Sequence, residues 1–307
     1  MTRTAFVFPG QGSQAPEMLK ELAQSYPEVE QTFNEASQAL GYDLWDLVQN
    51  DTDNKLNETQ VTQPALLTAS VAIFRLLKQH GISADFMAGH SLGEYSALVC
   101  AGALEFTDAV KLVEARGQFM QQAVPADAGA MFAIIGLDDA KIQDICQQTA
   151  IATGEVVAPV NYNSPGQVVI AGEKSATTQA GQACKDAGAK RALPLPVSVP
   201  SHCELMRPAA DKLEEALASL TLSAPEVSVV NNVDVRVEQD VAKIRDALVR
   251  QLYCPVQWTA SIEYLASQNV ERIIEVGPGK VLTGLIKRID KSIQAVAVNT
   301  PASLEAL

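Results

Sequence analysis

"DFMAGHSLGEYSALVCAG", residues 85–102, carries the reading on which the fold turns. The short run 85–88 reads as a strand, Gly89–Gly93 as a turn, and the stretch from Glu94 onward continues at helical spacing. The turn holds the pattern G-x-S-x-G, whose meaning depends on a strand before it and a helix after it, and both are present. The two glycines relieve crowding and leave Ser91 exposed at the helix N-terminus. There the helix dipole and free N–H groups favour a developing negative charge. Ser91 is therefore a candidate nucleophile. The bland alternative is a tight strand-to-helix turn with no chemistry.

Working outward, "TAFVF" (4–8) is a compact strand running into the glycine loop "PGQGSQ" (9–14). Helical periodicity follows at 28–40 and again from Pro64 to His80, with Pro64 suited to a first helical turn. Thr107 is a candidate N-cap for a helix reaching about Ala123, and "PADAG" (125–129) breaks the pattern. The next unit reads as strand 129–137, helix 138–150, strand 155–162, turn "NSPG" (163–166), strand 167–172, helix 174–188 and strand 189–197. That βαββαβ order is the ferredoxin-like arrangement. Alternation then resumes with helix 203–220, strand 225–232, helices 241–252 and 258–267, and strand "VERIIEV" (270–276). The turn "GPG" (277–279), a helix and "IQAVAV" (293–298) close the pattern. The expected architecture is α/β: a mostly parallel sheet covered by helices, formed by 1–125 and 201–307, with a ferredoxin-like subdomain, 126–200, inserted between them. A substrate site is expected in the cleft between the two.

Composition narrows the function classes. A net charge of −13 opposes non-specific binding to nucleic acid or anionic membranes. No apolar stretch approaches the ~20 residues that span a bilayer. The opening "MTRTAFVFPGQG" lacks a basic start and a long apolar run, so no signal peptide is expected. Cys100, Cys146, Cys184, Cys203 and Cys254 are widely spaced and include no C-x-x-C pair. They read as reduced thiols of a cytoplasmic protein rather than a disulfide framework or zinc site. No metal is expected, because the histidines and acids show no ligand spacing. Neither "PGQG" nor "VGPG" matches a nucleotide-binding glycine motif.

A serine nucleophile needs a base, and the chain has three histidines. His80 ends a helix, where a dipole contact accounts for it. His90 adjoins Ser91 in the turn and is badly placed to face its hydroxyl. His202 follows an extended segment stiffened by Pro194, Pro196 and Pro200, so elimination makes it the candidate base; for any one of the three histidines, an ordinary surface or core histidine is the alternative. Acidic residues between Ser91 and His202 fall mainly on the following helices or in the inserted unit. The expectation is a Ser–His dyad oriented by a carbonyl or amide oxygen, not a triad with an acid. Cys203, adjoining His202, points elsewhere and is not the nucleophile. Arg116 falls within the apolar stripe Ala109, Leu112, Val113, Met120, Ala123. A buried guanidinium needs an anionic partner. Two readings stand: a structural pair with an internal Asp or Glu, or a fork gripping a substrate carboxylate. Gln11 lies at the carboxyl end of a strand, and its N–H with that of Leu92 is a candidate oxyanion hole; a purely structural loop is the equal alternative. On these residues alone, a serine hydrolase or thioesterase would share Ser91 and His202.

Several stretches together carry a family resemblance: "FVFPGQGSQ" (6–14), "TQPALLTAS" (62–70), "GHSLGEYSALVCAG" (89–102), "APVNYNSPGQVVIAG" (158–172), "PLPVSVPSHCELM" (194–206) and "EVGPGKVLTGL" (275–285). The chain resembles the malonyl-CoA:acyl carrier protein transacylases of bacterial type II fatty-acid synthesis over essentially its whole length. The resemblance implies an α/β-hydrolase-like body with the inserted ferredoxin-like subdomain. It implies a ping-pong transfer of malonyl from malonyl-CoA to the phosphopantetheine thiol of acyl carrier protein through a malonyl–serine ester, with no bound cofactor. It gives Ser91 the role of nucleophile, His202 that of base, Gln11 and Leu92 the oxyanion N–H groups, and Arg116 the malonyl carboxylate. Gln251 matches the residue whose backbone carbonyl orients the histidine, and Gln63 matches a pocket glutamine. In modular polyketide acyltransferases a phenylalanine before the histidine marks malonyl-selective members; here that position is Ser201. Acyl carrier proteins are acidic, so Lys185, Lys190, Arg191, Lys287 and Arg288 are candidate docking residues; for any one of them, ordinary solvated charge is the alternative.

Overall fold

The computed structural model describes residues 3–51, 53–197 and 199–307. Its strands are β1 (Arg3–Phe8), β2 (Phe86–Gly89), β3 (Gly129–Ile135), β4 (Val157–Ser164), β5 (Gln167–Glu173), β6 (Arg191–Pro194), β7 (Ser228–Val230), β8 (Val270–Val276) and β9 (Gln294–Val298). They form two sheets, a parallel one in the order β7-β2-β1-β8-β9 and an antiparallel one in the order β4-β5-β3-β6.

The parallel sheet is buried on both faces, which is why β1 is apolar without interruption from Ala5 to Phe8. The twofold alternation of a strand sends Phe6 and Phe8 to one face and Ala5 and Val7 to the other. The first pair joins the large core built with the helices Glu28–Leu40, Thr59–Gln79, Phe106–Gln122 and Arg207–Ala218. The second packs on Trp258, Ile262 and Leu265 of the helix Trp258–Ser267, and on Leu282, Leu285 and Ile286 of the helix Val281–Ile289.

The antiparallel sheet follows the run expected from the sequence: strand, helix Asp139–Thr153, two strands, helix Lys174–Asp186, strand. Ile142, Cys146, Ala180 and Cys184 of its helices cover one face. The other face presents Met131, Val160, Val169 and Ala171 towards Cys203. Backbone bonds Tyr162 N–H to Val256 O (3.0 Å) and Val256 N–H to Val160 O (2.8 Å) seat this sheet against the segment following Gln251.

Several boundaries differ from the sequence expectation. The helix expected from Pro64 starts at Thr59, with Pro64 inside it. Tertiary packing prevails there: Gly117 lets the neighbouring helix come so near that a Cβ would lie 2.5 Å from the Gln60 Cα. The helix assigned to a Thr107 cap starts at Phe106 after an extended Glu105, whose side chain makes no cap. Asn163 and Ser164 belong to β4, so the hairpin turn is Pro165–Gly166 alone, with Gly166 at φ +71°. The strand expected at 225–232 is shortened to Ser228–Val230, that at 189–197 to Arg191–Pro194, and the helix at 203–220 begins as a 3₁₀ turn, Glu204–Met206. Short helices Lys20–Ser25, Leu44–Asn50 and Pro301–Glu305 carry too few turns to show a period. Ser198, within the proline-rich stretch, lies outside the described residues. The five cysteines are unpaired thiols.

What positions the site is the approach of β1 to the turn after β2. A Cβ on Gly93 would overlap the carbonyl oxygen of Phe8, and one on Gly89 would overlap the Gly93 backbone. Backbone on both sides cannot yield as a flexible side chain would. Gly93→Ala is expected to lower the free energy of unfolding by at least ~3 kcal/mol. Urea unfolding measures it, and a loss below about 1 kcal/mol would contradict so tight an approach.

Candidate active site

Ser91 occupies the turn between β2 and the helix Gly93–Cys100 in a left-handed conformation, φ 52°. A non-glycine residue is strained there and needs its surroundings to hold it. His90 N–H donates to Phe8 O at 3.0 Å and Gly93 N–H to His90 O at 2.9 Å. The Ser91 N–H donates to Asn232 Oδ1 at 2.8 Å, and Asn232 Nδ2 donates to Gly89 O at 2.6 Å. Asn232 lies two residues beyond β7, so the side chain that pins the turn comes from the edge strand paired with β2.

His202 is buried at φ 65°, its N–H bonded to Leu252 O at 3.0 Å. Its Nε2 stands 2.8 Å from Ser91 Oγ and its Nδ1 2.7 Å from the backbone oxygen of Gln251. A carbonyl only accepts, so the ring proton sits on Nδ1 and Nε2 is free to accept from the serine hydroxyl. Among the described residues no carboxylate bonds this imidazole. Burial foremost, and the Arg116 charge next, hold its pKa down to about 3. It is a neutral imidazole.

Arg116, on the helix Phe106–Gln122, is 1 % exposed. Its Nη1 donates to Gln63 Oε1 at 2.7 Å, and its Nη2 to Gln251 Oε1 at 3.0 Å and to Ser91 Oγ at 3.3 Å. The guanidinium carbon lies 5.3 Å from the Tyr95 ring centroid. Among the described residues the group makes no ion pair, and its Nε has no partner. The internal Asp or Glu of the structural alternative does not touch it; neutral amides do. Glu94 lies one step away, its Oε2 accepting from Gln251 Nε2 at 2.8 Å and from Asn232 N–H at 3.0 Å. Burial raises the Glu94 carboxyl to about 7 against the lowering effect of these bonds and of Arg116.

These groups face a cavity of about 120 Å³. Gln11, Gln63, Ser91, Leu92, Arg116 and His202 all line it, together with Met131 of β3, Asn161 of β4, and Leu195, Val197, Val199 and Ser201. Among the described residues neither the Gln11 nor the Leu92 N–H bonds a protein acceptor, so both donors are available to a ligand. Gln11 also reaches Thr59 Oγ1 from its side chain at 3.4 Å. A larger groove of about 540 Å³ lies elsewhere; Asp43, Asp46, Asp51, Asp53, Glu58 and Glu114 outweigh Lys55 in its lining, so it would repel anions.

The remaining sequence candidates fall away from the hydroxyl. His90 Nε2 meets Asn163 Oδ1 at 2.7 Å, and its ring packs on Trp258. His80 bonds Leu76 O at 2.8 Å at its helix end. Cys203 Sγ is buried and donates to Pro200 O. Lys185, Lys190, Arg191, Lys287 and Arg288 are exposed, and Arg288 bonds Gln167 Oε1 at 2.7 Å. Sequence reasoning missed Asn232, Glu94 and the side chain of Gln251. Only Glu94 had a signal: a carboxylate three residues after Ser91 on an otherwise apolar helix.

The acyl transferase domain family matches residues 5–303. The malonyl CoA-acyl carrier protein transacylase of Salmonella typhimurium strain LT2 is 66 % identical over 307 residues, covering 100 % of this chain and 99 % of the relative. This chain belongs to the malonyl-CoA:acyl carrier protein transacylase family. The family member of Escherichia coli strain K12 is 65 % identical over the same coverage. An acyl carrier protein S-malonyltransferase of Vibrio cholerae superposes with a TM-score of 0.97 at 62 % identity, covering 99 % of each chain. A malonyl transacylase solved in complex with a type II polyketide-synthase acyl carrier protein superposes with a TM-score of 0.98 at 58 % identity, covering 99 % of this chain and 98 % of that one.

The unfolded chain protonates an ordinary imidazole near 6.5, whereas the folded protein keeps His202 neutral to about 3. The folded state therefore binds fewer protons in that window. This group's contribution to stability is full above 6.5 and is lost as pH falls towards 3. Histidine-labelled NMR is expected to show His202 neutral, with its proton on Nδ1, between about pH 7 and pH 5; an ordinary titration near 6.5 would contradict the assignment.

Proposed function

We propose that Ser91, His202, Arg116, Gln251, Gln11 and Leu92 carry out malonyl transfer from malonyl-CoA to the phosphopantetheine thiol of acyl carrier protein, supplying extender units for fatty-acid synthesis. The observation that carries this reading is a buried guanidinium that makes no ion pair among the described residues, 3.3 Å from the serine oxygen that His202 also contacts. A buried cation needs an anion, and an acyl group attached at Ser91 with a free carboxylate supplies one.

In the first half-reaction His202 Nε2 takes the hydroxyl proton while Ser91 Oγ attacks the thioester carbonyl. The oxygen of that carbonyl takes up negative charge between the Gln11 and Leu92 N–H groups. Collapse breaks the C–S bond; the CoA sulfur leaves with the proton from His202, and malonyl remains as a serine ester. In the second half-reaction His202 takes the proton of the carrier's thiol, the sulfur attacks the ester, and Ser91 recovers the proton as the C–O bond breaks. Carbonyl oxidation state is unchanged throughout, so the reaction calls for no bound cofactor. The Gln251 carbonyl steadies the imidazole as its charge comes and goes, in place of an acid. Gln63 holds the guanidinium from the side opposite Gln251.

The parallel sheet and its strained serine turn are read as an α/β-hydrolase-like body of residues 1–125 and 201–307. Residues 126–200, with strand order β4-β5-β3-β6, are read as a ferredoxin-like subdomain. Unpaired thiols favour a cytoplasmic protein, and among the described residues no helix is long and apolar enough to cross a membrane. The exposed Lys185, Lys190, Arg191, Lys287 and Arg288 are the proposed docking cations for the acidic carrier protein.

Ser91→Ala and His202→Ala are each expected to lose at least ~10³-fold in malonyl transfer to holo carrier protein, followed by mass spectrometry of the carrier. Near-normal loading by Ser91→Ala, or release of free malonate in place of carrier loading by the intact enzyme, would overturn the reading. Arg116→Ala removes charge-assisted bonds of roughly 1.5–3 kcal/mol each, so malonyl transfer should fall far more than acetyl transfer; equal losses would refute the clamp. Charge reversal at the five docking residues should raise KM for carrier protein and leave that for malonyl-CoA unchanged. Unaltered carrier kinetics would remove the patch.

A further inference from the structure

The Gln251 side chain could sit either way round in its pocket, because the oxygen and nitrogen of an amide have nearly the same shape. Only the surrounding partners decide. Its Nε2 is placed against Ser91 O at 3.1 Å, Glu94 Oε2 at 2.8 Å and Asn232 Oδ1 at 3.3 Å. Its Oε1 is thereby turned to Arg116 Nη2 at 3.0 Å. Turned over, the amide would present N–H donors to a guanidinium that has only donors to offer, and Arg116 would lose one of its two amide acceptors.

Of the three acceptors that fix this orientation, the carboxylate is the shortest and the only one able to carry a full charge. The same Glu94 oxygen also accepts the Asn232 N–H at 3.0 Å, and Asn232 in turn holds the Ser91 N–H. Glu94 is 2 % exposed and touches neither Ser91 Oγ nor the imidazole. One carboxylate oxygen therefore joins the serine turn, the segment after β7 and the last residue of the helix Val241–Gln251.

We propose that Glu94 is a positioning residue for acyl selectivity: it locks the Gln251 amide so that an acceptor, not a donor, faces Arg116 and holds the guanidinium aimed at the acyl carboxylate. The inference rests on the malonyl-transfer reading of the same site. Without the lock, Arg116 is free to turn away, and the penalty falls on acyl groups with a carboxylate more than on those without one. A residue that merely supported the fold would slow both alike.

The test is the ratio of kcat/KM for serine loading from malonyl-CoA to that from acetyl-CoA, measured beside the thermal midpoint. Glu94→Gln can place its carbonyl oxygen at the Oε2 position and keep both donors satisfied, so its ratio should stay within about threefold of the unaltered enzyme. Glu94→Ala, which leaves the amide free to turn, should lower the ratio by about tenfold or more. Glu94→Asp keeps a buried carboxylate but withdraws it by one methylene, and should lower the ratio by about fivefold or more; it serves if the alanine variant does not fold. A folded Glu94→Asp or Glu94→Ala with an unchanged ratio, or a Glu94→Gln that loses the ratio as fully as alanine, overturns the proposal. Failure of the malonyl-transfer reading itself would show differently, as absence of malonyl loading in the unaltered enzyme.

Discussion

Gln251 holds two functional side chains at once, a neutral imidazole and a guanidinium. Its backbone oxygen accepts the Nδ1 proton of His202 at 2.7 Å, while its side-chain oxygen accepts from Arg116 at 3.0 Å. The carbonyl fixes the tautomer that leaves Nε2 free to accept from the serine hydroxyl, and the amide holds the cation beside that same hydroxyl. Both the imidazole of His202 and the guanidinium of Arg116 are therefore aligned by one residue at the end of a helix. The serine turn is tied to this point through Asn232 and Glu94, so Ser91, His202 and Arg116 share a single hydrogen-bonded frame.

That frame explains an electrostatic arrangement that would otherwise be costly. A carboxylate directly on His202 would raise the imidazole pKa and would also be the natural partner for Arg116, neutralising the site. A peptide carbonyl orients the ring without supplying a counter-ion. The imidazole stays neutral in the presence of a nearby cation, and among the described residues that cation makes no ion pair. Glu94 is kept one amide away from the guanidinium, and burial holds its own carboxyl near neutrality. Under the proposed malonyl transfer, an incoming carboxylate would meet a preorganised cation rather than one that must first be released from an internal acid.

Much of this was legible in the chain itself. Ser91 shows because strand, glycine turn and helix are local patterns, and His202 because three prolines stiffen the approach to it and few histidines compete. Arg116 shows because it interrupts an apolar stripe of helical period. Those same residues left its partner open, since periodicity reports that a side chain is buried but not what lies across from it. The role of the Gln251 carbonyl could come only from family resemblance: every residue has a carbonyl, and nothing in composition marks one of them. Asn232 lies 141 positions from the serine whose N–H it accepts, a contact made by sheet order rather than by any local signal. Pro64 and Thr107 failed as helix boundaries because the close packing at Gly117 and the burial of Phe106 outweighed local preference.

The central claim is that Ser91 carries a malonyl group between two thiols. Intact mass spectrometry of the unaltered enzyme after exposure to malonyl-CoA, with peptide mapping and then addition of holo acyl carrier protein, tests it directly. One malonyl adduct is expected, located on Ser91, that passes to the carrier's thiol faster than it is lost to water. An adduct on another residue, or a Ser91 adduct that yields only free malonate, would contradict it.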